Sequence, residues 1–343
     1  MQAKLIFSDG TTIEGNSFGY EKSIAGEIAF STSMMGYPES LTDPSYKGQI
    51  LTLSYPLVGS YGVPKRETWE SEKIQVTGLI VSHYINTPSH FQSTMSLSEW
   101  LKKEEIPALE IPDTRFIVKK IRDEGAALVK IEFDDKIEFV DPNKENLVAQ
   151  VATAAVATYG KGGKTVVLID CGVKENIIRE LVKRKVKVIR VPWNYDYIEK
   201  GVTCDGILIS NGPGDPKMAD KTIEIVKKAM QRRIPIFGIC LGNQILALAA
   251  GGDTYKLRFG HRGQNQPCEL VGSKKCYITT QNHGFAIGKI PPGFKPWFIN
   301  GNDKTNEGII HKTLPFMSVQ FHPEAAPGPV DTKWLFDYFL DKI

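Results

Sequence analysis

The chain has 343 residues, of which 42 are lysine or arginine and 39 are aspartate or glutamate, so its formal net charge is only +3. The basic residues are scattered, and we expect neither a nucleic-acid partner nor a membrane surface. No apolar stretch reaches the roughly 20 residues that cross a bilayer, and the N-terminal segment lacks a signal-peptide core. We therefore expect a cytoplasmic protein, and its length predicts two domains.

Residues 1–150 are predicted to form a β-rich α+β domain. Short apolar segments such as 4–7 and 49–53 are separated by turns rich in glycine, proline and aspartate, which is typical of strands. Two helices are predicted in this domain, over residues 97–103 and about 115–124.

Residues 151–163 are predicted to be a linker, because small residues are followed there by glycines that hold no fixed element. In residues 164–343 the pattern changes to alternating strands and helices. Strands are predicted over 165–170, 187–191, 206–210 and 235–239, and helices over 175–183 and 219–231. This alternation predicts an α/β domain, in which helices cover both faces of a parallel sheet and ligands gather at the carboxyl ends of its strands. Beyond Gly252 we expect short strands and loops.

Cys240 lies where a strand-like segment meets a helix-like one, in the sequence Gly238-Ile-Cys-Leu-Gly242. A reactive side chain on a sharp strand-to-helix turn needs small neighbours on both sides, and the start of a helix favours a thiolate. The alternative is an ordinary buried cysteine. The five cysteines show no Cys-x-x-Cys pair, so we expect reduced thiols and no metal site.

His322 and Glu324 are candidates for a base and its orienting carboxylate. They follow a strand-like segment and are two residues apart, so an extended backbone projects both side chains to the same side. A cysteine, a histidine and a carboxylate together form a nucleophilic triad. The alternative for His322 is a structural or exposed histidine near a strand end.

Two polar loops add to the candidate site. The segment Asn211-Gly-Pro-Gly-Asp215 follows a predicted strand and brings glycine amides beside the end of the next one. The backbone amides of Gly212 and Leu241 are then candidates for an oxyanion hole. Residues 279–285, Thr-Thr-Gln-Asn-His-Gly-Phe, are predicted to end another strand. Each loop taken alone also fits an ordinary turn.

Together these motifs resemble those of the triad-type, class I glutamine amidotransferases. The chain is more narrowly similar to the small subunit, or the equivalent glutaminase domain, of carbamoyl phosphate synthetase, and the similarity spans essentially its whole length. The segments that carry the narrower resemblance are 7–11, 36–46, 113–115, 141–143, 262–267, 281–285 and 306–311. The resemblance implies an N-terminal small-subunit domain followed by a class I glutamine amidotransferase domain with a flavodoxin-like, mostly parallel sheet.

The resemblance also implies roles for individual residues. Cys240 matches the nucleophile, His322 the base and Glu324 the residue that orients it. The positions that match glutamine-binding residues of the family are Ser45, Gly212, Gly214, Leu241, Gln244, Asn282, Gly284 and Phe285. Because Ser45 belongs to the N-terminal half, the resemblance implies that the two domains meet at the active site.

The chain departs from the family's pattern at two places. Asn243 stands where a histidine is usual, and Ile111-Pro112 stand where a glycine is common. Asn243 keeps hydrogen-bonding capacity but cannot carry a proton, which puts the glutaminase rate in question.

The substrate implied by the resemblance is L-glutamine, and the implied partner is a large synthetase subunit or fused synthetase domain that receives ammonia. No cofactor or metal is expected in this chain. ATP and a divalent metal are expected on the partner, since the chain has no Gly-x-x-x-x-Gly-Lys-Ser/Thr loop. Three alternatives stay open: a catalytically weak or silent subunit that binds and activates the same synthetase, the amidotransferase component of another synthase, and a cysteine hydrolase such as a peptidase.

Overall fold

A computed structural model describes all residues from Met1 to Ile343 and divides them into two units, Met1–Lys144 and Glu145–Ile343. The division falls slightly before the predicted boundary at residue 150. The predicted linker, 151–163, differs from the structure, because it lies in the second unit and contains the strand Ala157–Tyr159. This short strand pairs along one side only, and a half-exposed edge strand needs little of the apolar pattern that reveals a strand in a sequence.

The first unit is built around a closed sheet of seven strands. In chain order they are β1 (Gln2–Phe7), β2 (Thr12–Ser17), β3 (Ile24–Ser31), β4 (Gln49–Leu53), β5 (Gly78–Val81), β6 (Ala108–Glu110) and β7 (Leu128–Glu132). The sheet closes in the order β1-β2-β6-β5-β4-β3-β7. Pairing is parallel from β3 through β4 and β5 to β6 and antiparallel elsewhere.

Three helices accompany this sheet: α1 (Tyr37–Thr42), α2 (Leu97–Lys103) and α3 (Thr114–Glu124). The last two confirm the predicted helices. Helix α2 begins at a capping box, in which Ser96 and Glu99 each bind the other's backbone amide, an arrangement that satisfies two otherwise unpaired donors.

The second unit is a ten-stranded sheet with helices on both faces. Its strands are β8 (Ala157–Tyr159), β9 (Lys164–Asp170), β10 (Val186–Pro192), β11 (Gly206–Ile209), β12 (Ile236–Ile239), β13 (Asp253–Leu270), β14 (Cys276–Lys289), β15 (Phe294–Asn300), β16 (Asn306–His311) and β17 (Phe316–Val319). Its helices are α4 (Leu147–Val151), α5 (Glu175–Lys183), α6 (Asp220–Gln231), α7 (Leu241–Ala249) and α8 (Trp334–Leu340). The strand order is β14-β13-β15-β16-β17-β12-β11-β9-β10-β8.

Strand β9 shows how this sheet buries both of its faces. Val166 and Leu168 pack into a cluster with side chains of α5 and α8, whereas Val167 and Ile169 pack with α6 and α7. Alternate side chains of a strand point to opposite faces, so a strand covered on both sides is apolar throughout. This confirms the predicted α/β architecture. None of the helices has the length and apolar character to cross a membrane.

The sheet is mixed rather than mostly parallel. Its five central strands, β10, β9, β11, β12 and β17, are parallel, and the strands on either side are antiparallel. The expectation of short strands beyond Gly252 is also wrong, since β13 and β14 form a long antiparallel pair. Register shifts between Lys256 and His261 and between Gly263 and Gln266 break the two-residue alternation by which a strand is recognised in a sequence.

Candidate active site

Cys240 occupies a strained turn between β12, which ends at Ile239, and α7, which begins at Leu241. Its φ of 55° and ψ of −102° are unusual for a residue with a side chain, and such conformations cost about 1–3 kcal/mol each. A Cβ on Gly242 would lie 2.3 Å from the carbonyl oxygen of Ile209, and one on Gly238 would lie 2.4 Å from that of Gly242. Both flanking glycines are therefore required by the close approach of backbone, as a nucleophile elbow requires.

His322 and Glu324 lie beside this turn. The segment that follows β17 is held by backbone hydrogen bonds, from Cys240 N to Val319 O at 2.8 Å and from His322 N to Thr280 O at 2.9 Å. The Nδ1 atom of His322 lies 2.6 Å from Oε1 of Glu324, and both side chains are buried. The predicted i, i+2 contact between the two residues is therefore present.

The charges of this pair reinforce each other. Burial opposes protonation of His322, but the charge of Glu324 and that of neighbouring Cys240 raise the pKa of the imidazole to about 10. Burial likewise opposes ionisation of Glu324, but Lys174 and His322 lower its pKa to about 2. Since Nδ1 of His322 is held by Glu324, the other ring nitrogen is left for the neighbouring Cys240 and for proton transfer.

Lys174 is a residue of this site that the sequence did not reveal. It lies just before α5 and is 2% exposed. Its Nζ donates a hydrogen bond to the Ala325 carbonyl at 2.7 Å and lies 3.2 Å from Oε1 of Glu324. No local pattern identifies such a lysine, because its partner is far away in the sequence. It supplies the cation that keeps a buried carboxylate ionised.

Several of the predicted glutamine-binding residues surround Cys240. Its Sγ lies 3.6 Å from the Asn282 carbonyl oxygen, and Gln244 donates a hydrogen bond to the Phe285 carbonyl at 2.9 Å. A Cβ on Gly212 would lie 2.8 Å from Cδ2 of Leu241, so the predicted oxyanion-hole residues are neighbours.

The structure gives local surroundings for three further predicted residues. Gly214 has a φ of 80° and packs near Leu147. Gly284 lies in β14, where a Cβ would meet only the guanidinium of Arg262 at 3.4 Å. Ser45 belongs to the first unit, in the 3₁₀ turn Pro44–Tyr46, and its backbone N–H donates to Asp43 at 2.9 Å.

One buried group in this unit has the residue types of a metal site. The potential ligand atoms of His261, His283 and Glu307 all lie within 4.8 Å of one another. Ion pairs of a protonated His261 explain why it lies close to Glu307 without a metal, since its ring nitrogens lie 3.3 Å from Glu307 and 2.8 Å from Asp303. Burial opposes that protonation, but the two carboxylates raise the pKa of His261.

Comparisons with known proteins match both units to known families. Residues 167–342 match the family model "Glutamine amidotransferase class-I", and residues 5–131 match "Carbamoyl-phosphate synthase small chain, CPSase domain". The chain is 48% identical to the human mitochondrial protein named carbamoyl-phosphate synthase [ammonia], over 99% of this chain and 24% of that protein. It is 44% identical to multifunctional protein URA2 of Saccharomyces cerevisiae, over 99% of this chain and 17% of that protein.

A solved glutamine amidotransferase from Thermotoga maritima aligns with 52% of this chain and 83% of its own at 20% identity and a TM-score of 0.36. The chain spans about a quarter or less of the length of the curated relatives named above. With the class-I model matching more than half of the sequence, the chain belongs to the class-I glutamine amidotransferases, and the segment before that domain is of the carbamoyl-phosphate synthase small-chain type.

Proposed function

We propose that this chain hydrolyses the side-chain amide of L-glutamine through Cys240, His322 and Glu324. The observation that carries the proposal is the state of His322. Its Nδ1 is held by Glu324 at 2.6 Å, and the imidazole interacts with Cys240, its neighbour on the strained turn. A protonated imidazole beside a cysteine favours the thiolate, which is the nucleophilic form.

The reaction has two steps. The Cys240 thiolate attacks the amide carbonyl, and the Gly212 and Leu241 backbone amides stabilise the oxyanion, each donor contributing on the order of 3 kcal/mol. His322 donates its proton to the departing nitrogen, so ammonia leaves and a glutamyl thioester remains. Water, deprotonated by the now neutral His322, then attacks the thioester and releases glutamate and the thiolate.

Glutamine is proposed to be held by Ser45, Gly212, Gly214, Leu241, Gln244, Asn282, Gly284 and Phe285. For Ser45, this role rests on the family resemblance alone. We propose that acyl transfer needs no metal or organic cofactor in this chain, and that glutaminase activity survives exhaustive dialysis against a chelator.

We further propose that the ammonia is delivered to a synthetase subunit or fused domain, which uses it with ATP and a divalent metal to form carbamoyl phosphate from bicarbonate. The relatives support a synthetase partner, because this chain corresponds to 24% of the human protein that is named carbamoyl-phosphate synthase. A cytoplasmic location belongs to the same proposal, although the human relative is named as mitochondrial; cell fractionation tests it.

A Cys240→Ser variant of the assembled synthetase tests the nucleophile. We expect glutamine-dependent synthesis to be abolished and ammonia-dependent synthesis to survive. The matched control is Cys276→Ser, the same change at an exposed cysteine, which should alter neither activity. Equal loss of both activities in the Cys240 variant would contradict the assignment.

A second candidate is a subunit that binds and activates the synthetase without hydrolysing glutamine. It is favoured by the name of the human relative, which specifies ammonia. Ammonia release from glutamine by the purified chain with its synthetase, together with trapping of a glutamyl thioester on Cys240, distinguishes the two. The same trapping experiment disfavours a peptidase.

A further inference from the structure

A connected set of buried amide side chains lies against Cys240. Gln320 is fully buried and comes two residues before His322. Its Nε2 lies 3.7 Å from the Cys240 sulfur. Its Oε1 accepts two hydrogen bonds, from Asn243 Nδ2 and from Gln244 Nε2, each at 3.1 Å. On the far side, Asn243 Oδ1 accepts a hydrogen bond from the Ser318 hydroxyl at 2.8 Å.

The orientation of these amides follows from one fixed point. A backbone carbonyl can only accept, so Gln244 must turn its NH₂ group toward the carbonyl of Phe285, 2.9 Å away. The same NH₂ group faces Gln320, which must therefore present its oxygen. The NH₂ group of Gln320 is then left facing the sulfur of Cys240. The amide assignment therefore rests on the connected hydrogen bonds.

We propose that Gln320 is a further catalytic residue, which donates an N–H to the Cys240 thiolate, and that Asn243 is a positioning residue that holds Gln320 in this orientation. The inference rests on the proposed function only in taking Cys240 as the nucleophile. As a thiol, Cys240 donates to the Asn282 carbonyl at 3.6 Å. A thiolate has no proton to donate, and Gln320 supplies the donor that this form needs.

The proposal also explains how asparagine functions at position 243. The side chain of Asn243 donates one hydrogen bond to Gln320 and accepts one from Ser318. A side-chain amide provides both at once, and neither contact involves a transferred proton. Proton transfer belongs to His322, so the lack of a titratable group at position 243 does not interrupt the reaction.

The test is the pH dependence of Cys240 alkylation by iodoacetamide in the full chain, followed by mass spectrometry of the Cys240 peptide. Gln320→Met keeps the length of the side chain and removes the donor. A hydrogen bond to an ionised group is worth about a tenfold change in ionisation equilibrium. We therefore expect the rising limb of the profile to move about one pH unit upward, with an unchanged plateau. Gln75→Met, at a buried glutamine of the first unit, is the matched control and should leave the profile unmoved.

The proposal is overturned if the alkylation profile of Gln320→Met superimposes on that of the wild type. It is also overturned if the maximal alkylation rate falls while the pH of the rising limb is unchanged, since that result indicates a structural role for Gln320. If that variant does not fold, Asn243→Ala decides, since loss of one orienting donor should move the limb in the same direction by a smaller amount. Labelling needs no glutamine and no partner. If the wild-type chain releases no ammonia from glutamine, the proposed function is refuted. A shift of the Cys240 alkylation profile in Gln320→Met would still support the role of Gln320.

Discussion

Replacing Lys174 with methionine should destabilise the second unit in a pH-dependent way. The substitution keeps most of the side chain's volume and removes the cation that lies 3.2 Å from Glu324. Glu324 is fully buried, and without Lys174 its carboxylate loses one of the two side chains that keep it ionised. Breaking a buried ion pair by removing one partner generally costs about 3–5 kcal/mol.

The magnitude can be worked from the carboxylate itself. The pKa of Glu324 falls from its ordinary 4.5 to about 2, against the effect of burial, because of Lys174 and His322. A depression of this size corresponds to about 3 kcal/mol of stability. For a carboxyl with a lowered pKa this stability is fully present above pH 4.5 and is lost as pH falls toward 2. We expect Lys174→Met to lose about 2–3 kcal/mol at pH 7, and less at pH 3.

Urea unfolding followed by circular dichroism at pH 7 and pH 3 measures both values. The matched control is Lys217→Met, which removes an exposed lysine 2.8 Å from Asp253 and should change stability little at either pH. The reasoning is refuted if Lys174→Met loses as much stability at pH 3 as at pH 7, or no more than the control loses at pH 7.

Three other predictions concern the same site. Asn243→His should leave the fold intact and change glutamine turnover modestly, because an imidazole can also offer one donor and one acceptor; a change of several orders of magnitude in the glutaminase assay would contradict this. Gly242→Ala should lower both stability, by about 1–3 kcal/mol, and the rate of iodoacetamide labelling, since its Cβ would lie 2.3 Å from the Ile209 carbonyl; unchanged labelling would count against the elbow. Burial opposes protonation of His322, but mainly the charge of Glu324 raises its pKa to about 10, so the ring stays protonated until pH rises through that value. Glu324→Gln should therefore move the alkaline limb of the glutaminase pH profile to lower pH. An unmoved limb would exclude the charge of Glu324 as the cause.

The strained turn at Cys240 and the contact between His322 and Glu324 were accessible from the sequence because local rules specify them. Only glycine fits beside a backbone that approaches as closely as at Gly242. The alternation of strands and helices predicts which strand ends lie at the same edge of the sheet. The spacing of His322 and Glu324 predicts that they face the same way. Each of these inferences uses residues close together in the chain or a regular period.

Lys174 and Gln320 were missed because their importance depends on contacts between distant segments. The partner of Lys174 lies 150 residues further along the chain, at Glu324, and an isolated lysine in a sequence is expected to be exposed. Gln320 extends the alternation of His322 and Glu324 by one step, so a signal existed: three polar side chains on one side of a buried segment. The strand pair β13 and β14 was missed for a different reason, since its register shifts conceal the period.

The charges of the buried site stay balanced through the acylation step of the proposed reaction. Lys174, Glu324 and a protonated His322 form a row of two positive charges and one negative charge, all buried. An anion at Cys240 brings this group to neutrality, which a low-dielectric interior favours. Attack moves this negative charge from the sulfur to the carbonyl oxygen, and collapse of that oxyanion expels the nitrogen. The proton that His322 gives to the departing nitrogen removes one positive charge as the oxyanion disappears, so the group stays neutral through acylation, with Lys174 and Glu324 as the remaining ion pair.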